Sequence, residues 1–303
     1  MFSGVTTICF AGSYAVALIL ELSRLVFRSG VRGALMVGFA TAGLVAHSAY
    51  LYREAARWPR SPLSSERDWY LLAAWLLVVV YLYLTIYHPK QAFGLFLLPV
   101  VLALIGVARF LAASEPYPQE PASRVWGIVH GTSILLTTVV VLFGFVTGLM
   151  YLEQARRLKQ KRPPIRGLGL PSLEWLQRAN GRAMVVSLIL LSVGVLSGLV
   201  LSRLSHAERI ASDDPFVLGT LGMFLWLLVA VLVNYFYRPA RAGRKVAYLT
   251  LVSFVFLVVV LGVGLWLDTE HGGWRKSDAR FSPTEDVTVM AVESQDEAPR
   301  GWL

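Results

Sequence analysis

Apolar residues in this chain neither alternate with polar ones nor keep to a narrow helical stripe. They fall in long unbroken blocks separated by polar connections. Eight blocks can be delimited, at about 5–23, 33–52, 69–87, 92–113, 126–151, 183–203, 216–237 and 246–267. Each is close to the length of about 20 residues that a helix needs to cross some 30 Å of hydrocarbon. A soluble core helix would be shorter or would carry a polar face. The pattern therefore predicts an all-α polytopic membrane protein with about eight transmembrane helices. Residues 1–274 make up the membrane domain, and 275–303 form a polar C-terminal tail. That tail lacks a sizeable apolar cluster and is expected to be disordered.

Composition agrees with the pattern. Hydrophobic residues make up 56% of the chain and charged residues 16%, against about 25% charged in soluble domains. The net charge of +9 gains meaning from where the charges lie. With the N-terminus placed outside, 16 of the 28 Lys and Arg fall on the inner side, but only 3 of the 19 acidic residues do. That is the positive-inside bias, and it predicts both termini on the outer face. The basic charge is thus explained by the lipid bilayer as partner, with no nucleic acid required. The first block has no basic residues before it, and Arg24, Arg28 and Arg32 follow it. That order reads as a retained helix rather than a cleaved signal. The whole describes an integral, multi-pass membrane protein, and a bacterial inner (cytoplasmic) membrane is its expected location.

Few side chains in the blocks carry chemistry. The one cysteine, Cys9, has no second thiol to pair with and reads as a small apolar residue on a buried helix face. Glu21 and Arg24, one turn apart, read as an interfacial pair snorkelling to water. The run from Arg156 to Arg162 reads as a stop to translocation in contact with anionic headgroups. Behind it, Ser172 is placed to cap a short interfacial helix with Trp175 at headgroup depth. Charges gather at block ends rather than at mid-depth, unlike the sites of secondary transporters.

The five histidines are more informative. His47, His130, His206 and His271 fall toward the outer face, and His88 lies inside. Each is open to two readings, an amphipathic residue at the headgroup boundary or a ligand. Imidazole is a common metal ligand and holds haem iron axially in many proteins.

Several stretches in this order resemble the cytochrome c assembly proteins of the CcsA/CcmC/HemX type, which handle haem in membranes. They are Ala46-His47-Ser48-Ala49-Tyr50-Leu51, the segment from Phe93 to Val100, Trp126-Gly127-Ile128-Val129-His130, and Gly148-Leu149-Met150-Tyr151-Leu152. Leu170-Pro171-Ser172-Leu173-Glu174, Gly194-Val195-Leu196-Ser197-Gly198 and Gly243-Arg244-Lys245-Val246-Ala247-Tyr248-Leu249 follow. The resemblance covers most of residues 40–271. It implies that His130 and His271 are axial ligands of haem iron at the outer face. Trp126, Asp214 and His47 would stand near the cofactor. It also implies other biogenesis subunits and apocytochrome c as partners.

The chain departs from the family at two places. The outer connection before the seventh block, Ser205 to Pro215, has no tryptophan, where the family's assembly enzymes carry a tryptophan-rich haem platform. Asn234 stands where the family has an inner histidine. Both departures match the HemX-like branch. Two readings remain. In one, the chain binds haem for delivery to apocytochrome. In the other, it is a non-enzymatic membrane partner of haem synthesis or assembly with no haem site of its own. No catalytic side chain is assigned in either.

Overall fold

A computed structural model describes residues 6–25, 30–57, 65–114, 124–161, 169–204, 214–236 and 242–266. Among them every regular element is an α-helix: α1 Thr7–Ser23, α2 Gly30–Arg57, α3 Glu66–Tyr87, α4 Gly94–Phe110, α5 Arg124–Lys159, α6 Leu173–Leu204, α7 Pro215–Phe236 and α8 Ala242–Trp266. All eight expected helices are present. Six are long and apolar enough to span a membrane, and α1 and α4, at 17 residues each, stand at the lower limit of spanning length.

Local chemistry sets several starts. Ser65 opens α3 with a reciprocal capping box: its hydroxyl accepts from the Asp68 amide at 3.2 Å, and Asp68 accepts from the Ser65 amide at 3.3 Å. Ser172 accepts from the Trp175 amide at 3.2 Å. Here the structure corrects the sequence reading. Ser172 does cap, but no separate interfacial helix follows, because the turn runs straight into α6. The basic run is likewise helical at its start. Arg156 to Lys159 form the last turn of α5, which at 36 residues is about 54 Å long and outruns the hydrocarbon. Cys9 is exposed rather than buried. On a membrane helix the outward face is as apolar as the inward one, so composition does not separate the two.

The helices form two rings of four. In the first, α1 packs on α2, α2 on α3, α3 on α4, and α4 returns to α1. In the second, α5 packs on α6, α6 on α7, α7 on α8, and α8 returns to α5, with α6 also meeting α8. The rings meet where α5 lies against α3 and α4. Aliphatic side chains such as Ile19, Leu196, Leu199 and Val229 stay exposed, as the lipid-facing surface of a spanning bundle requires.

Close approach in the second ring depends on small residues. A Cβ at Gly148 of α5 would lie 2.7 Å from Thr250 Oγ1 of α8, and one at Gly144 would lie 3.3 Å from Ala183 of α6. The hydroxyls that line these contacts bond back along their own helix: Thr137 and Thr138 donate to carbonyls four residues earlier, at 2.8 and 3.0 Å. Thr147 meets Asn180 Oδ1 at 2.8 Å, joining α5 to α6.

Glu21 sits differently from its expected place. It is 2% exposed, inside the first ring against Tyr81 and Gly94. Arg24 lies 3.7 Å from it and donates to the carbonyls of Pro89 and Gln91 at 2.9 and 3.0 Å. The pair exists, but the carboxylate does not reach water. Arg24 instead ties the end of α1 to the connection between α3 and α4.

Candidate functional site

The first turns of α5 carry Trp126 and His130 on one face, one helical turn apart. Trp126 is exposed, whereas His130 is half-buried against α6. The contact is made by Gly194 and Gly198, spaced four residues apart so that both face α5. A Cβ at Gly198 would lie 2.9 Å from His130 Nδ1, and one at Gly194 would lie 2.8 Å from Ile134 Cδ1. Only glycine leaves room for the imidazole at this depth in the α5–α6 groove.

His130 Nδ1 lies 2.7 Å from the Gly194 carbonyl oxygen. A carbonyl only accepts, so Nδ1 carries the proton and the lone pair resides on Nε2. That is the arrangement by which proteins orient a metal-binding histidine: one ring nitrogen donates to a backbone carbonyl, and the other faces the metal. The donor set and tautomer therefore fit an axial ligand of haem iron. On the α3 side, Trp69 presses on the next residue. Its indole carbon Cη2 lies 2.6 Å from where a Gly131 Cβ would be. The sequence reading did not single out Trp69. A tryptophan four residues into an apolar helix carries no signal of its neighbour across the bundle.

Of the other expected site residues, those that the structure describes lie elsewhere or serve other ends. His271 and His206 fall outside the described residues. Asp214 is the N-cap of α7, its Oδ1 accepting from the Phe216 amide at 2.7 Å. His47 is 0% exposed within the first ring, ten residues or about 15 Å from the end of α2. Its ring stacks on Phe10 at 4.1 Å, with planes 2° apart, and Nδ1 lies 3.3 Å from the Tyr14 hydroxyl. His47 is thus deeper than its block suggested, because α2 continues to Arg57. A cofactor would have to displace Phe10 to reach it. On the opposite side of the molecule His88 caps α3 beside Phe93 and Trp175, with ring centroids 6.3 Å away in each case. Asn234 of α7 faces Gly181 of α6.

No curated protein sequence matches the chain. The profile of one family does, that described as Cytochrome C assembly protein, over residues 66–271. The match begins at α3 and includes α5, α6 and the segment around His130. The chain belongs to the cytochrome c assembly protein family, and is an integral multi-pass membrane protein of cytochrome c biogenesis.

Proposed function

We propose that the chain holds haem at the outer face of a bacterial inner membrane and offers it to apocytochrome c, with His130 and His271 as axial ligands. The observation that carries this reading is the 2.7 Å contact from His130 Nδ1 to the Gly194 carbonyl, which presents Nε2 in a fixed direction. His271 comes in through the family resemblance alone. Haem supplies the iron to be ligated and the vinyl groups that join the thiols of an apocytochrome CxxCH motif. The chain's own part is binding and orientation. His130 sets one axial position, Gly194 and Gly198 hold its ring in place, and Trp126 is one turn away on the same face. The thiols come from the apocytochrome, since this chain's one cysteine lies in α1.

The test is the absorption spectrum of the protein purified after expression with haem available. A Soret band is expected, weakened or shifted in His130→Ala and His271→Ala and lost in the double variant. A protein without the band, or a double variant with the parent spectrum, overturns the proposal. One observation favours the HemX-like alternative, a membrane partner of haem synthesis or assembly without its own haem. The connection from Ser205 to Asp213 has no tryptophan, and Asp214 beside it caps α7. Co-purification of a haem-pathway enzyme with a haem-free chain would support that alternative.

A further inference from the structure

The joint between the two rings opens at one end into a groove of about 510 Å³, bounded by α4, α5 and Leu25 after α1. That volume lies within the range of small-molecule sites. Its polarity is graded. Leu95 and Phe96 of α4 and Leu149 and Leu152 of α5 line the apolar part. Glu153, Arg156 and Arg157 follow on the same face of α5. From Leu149 to Arg156 the helix rises about 10 Å, so the charged part stands at the membrane surface when the apolar part stands in hydrocarbon. Glu153 pairs with Arg157 at 2.7 Å. One carboxylate against two guanidiniums leaves the mouth of the groove net positive.

We infer that this groove is a stoichiometric site for one anionic phospholipid of the inner leaflet. An acyl chain lies between α4 and α5, and the phosphodiester sits on Arg156 and Arg157. Three features select this ligand. The apolar walls accept a hydrocarbon chain. The net positive mouth matches a phosphodiester monoanion, and arginine binds phosphate oxygens through paired N–H donors. The basic end of α5 lies on the side that the Lys and Arg distribution assigns to the cytoplasm, where anionic lipid attracts basic segments. No histidine is among the described residues that line the groove, so it does not resemble the His130 site. The lipid would fill the place where the rings otherwise leave a gap, so the inference stands apart from the haem reading.

The experiment is native mass spectrometry of the full chain released from detergent, with phosphatidylglycerol or phosphatidylcholine of the same acyl chains added. One phosphatidylglycerol is expected to stay bound per chain, and phosphatidylcholine to be lost. The Arg156→Gln/Arg157→Gln variant should retain about thirtyfold less, and Leu149→Trp, which fills the apolar part, should retain none. Lys159→Gln/Lys161→Gln, one turn beyond the groove, should behave as the parent. Equal retention of the two lipids overturns the inference. So does an equal loss in the lysine variant, which would mean diffuse surface attraction. A Soret band that vanishes in the arginine variant would assign the groove to haem instead, and also overturns it. Should the variants fail to fold, the ratio of the two lipids on the parent protein decides the question alone.

Discussion

Replacing Gly198 with alanine adds one methyl group at the point where α6 meets the His130 ring. Built on the present backbone, that carbon lies 2.9 Å from Nδ1 and 3.0 Å from Cε1. Ordinary contact between such atoms needs about 3.5 Å or more, so the ring must withdraw by about 0.5 Å. The bond from Nδ1 to the Gly194 carbonyl is only 2.7 Å long and lies in the same groove. Withdrawal therefore stretches or breaks the contact that fixes the tautomer. Loss of such a supporting partner typically costs 10–100-fold in affinity for the bound metal. The effect on stability is smaller. Alanine gains about 1 kcal/mol over glycine in a helix interior, overpacking costs about 1–3 kcal/mol, and the lost hydrogen bond costs about 1 kcal/mol. The net expectation is a loss of about 1–3 kcal/mol. Haem titration followed at the Soret band reads the first quantity, and thermal unfolding in the same detergent reads the second. Gly106→Ala is the control, because nothing lies within 4 Å of a Cβ there. It should stabilise slightly and bind haem as the parent does. A Gly198→Ala protein that titrates with the parent midpoint and spectrum would show that Gly198 does not seat the His130 ring.

Four further outcomes follow from the same geometry. Asp214→Ala should lower thermal stability by about 1 kcal/mol through loss of the α7 cap, with Asp214→Ser restoring it and neither changing a haem spectrum. Arg24→Ala should cost about 3–5 kcal/mol, because it strands the buried Glu21 carboxylate and frees two carbonyls; Glu21→Gln should cost far less, and equal losses in unfolding assays would contradict this. Thr147→Val removes the α5–α6 hydrogen bond to Asn180, and comparable bonds in membranes average about 0.6 kcal/mol. A loss above about 2 kcal/mol would show that more than this bond is at stake. In a Cys9→Ala background, Lys161→Cys should react with a membrane-impermeant thiol reagent only from the cytoplasmic side, and labelling from outside would invert the topology.

The helices were legible because spanning segments leave a block signature that needs no knowledge of neighbours. Their ends were less so. Block boundaries track where hydrocarbon-compatible residues stop, whereas helix boundaries track caps and backbone geometry. Arg156 to Lys159 are good helix formers and carry α5 beyond its apolar block, up to the turn at Lys161, whose φ is +49°. Ser172 was legible as a cap but not as the start of a 32-residue helix. The site was legible in part. His130 could be singled out by side of membrane and by resemblance, and Gly194 and Gly198 stood in a recognisable segment. That these glycines seat His130 depends on the register of α5 against α6. In lipid no hydrophobic periodicity reports that register, since outward and inward faces are equally apolar. His47 shows the same limit. Its place against Phe10 and Tyr14 follows from the pairing of α1 with α2, which no single block reveals.

The two-ring arrangement bears on how the chain is made. Within each ring, neighbours in sequence are neighbours in space, and only the closing contact, α1 to α4 or α5 to α8, spans the whole half. The first ring is therefore complete once α4 has entered the bilayer, before any part of α5 is needed. Domains that close on themselves can fold in order of synthesis. α5 is then the one helix that must find two sets of partners, docking on a finished surface of α3 and α4 while waiting for α8. The helix that bears His130 is thus also the one that joins early and late halves of biogenesis, so a defect in its insertion would abolish the site while leaving half the protein intact.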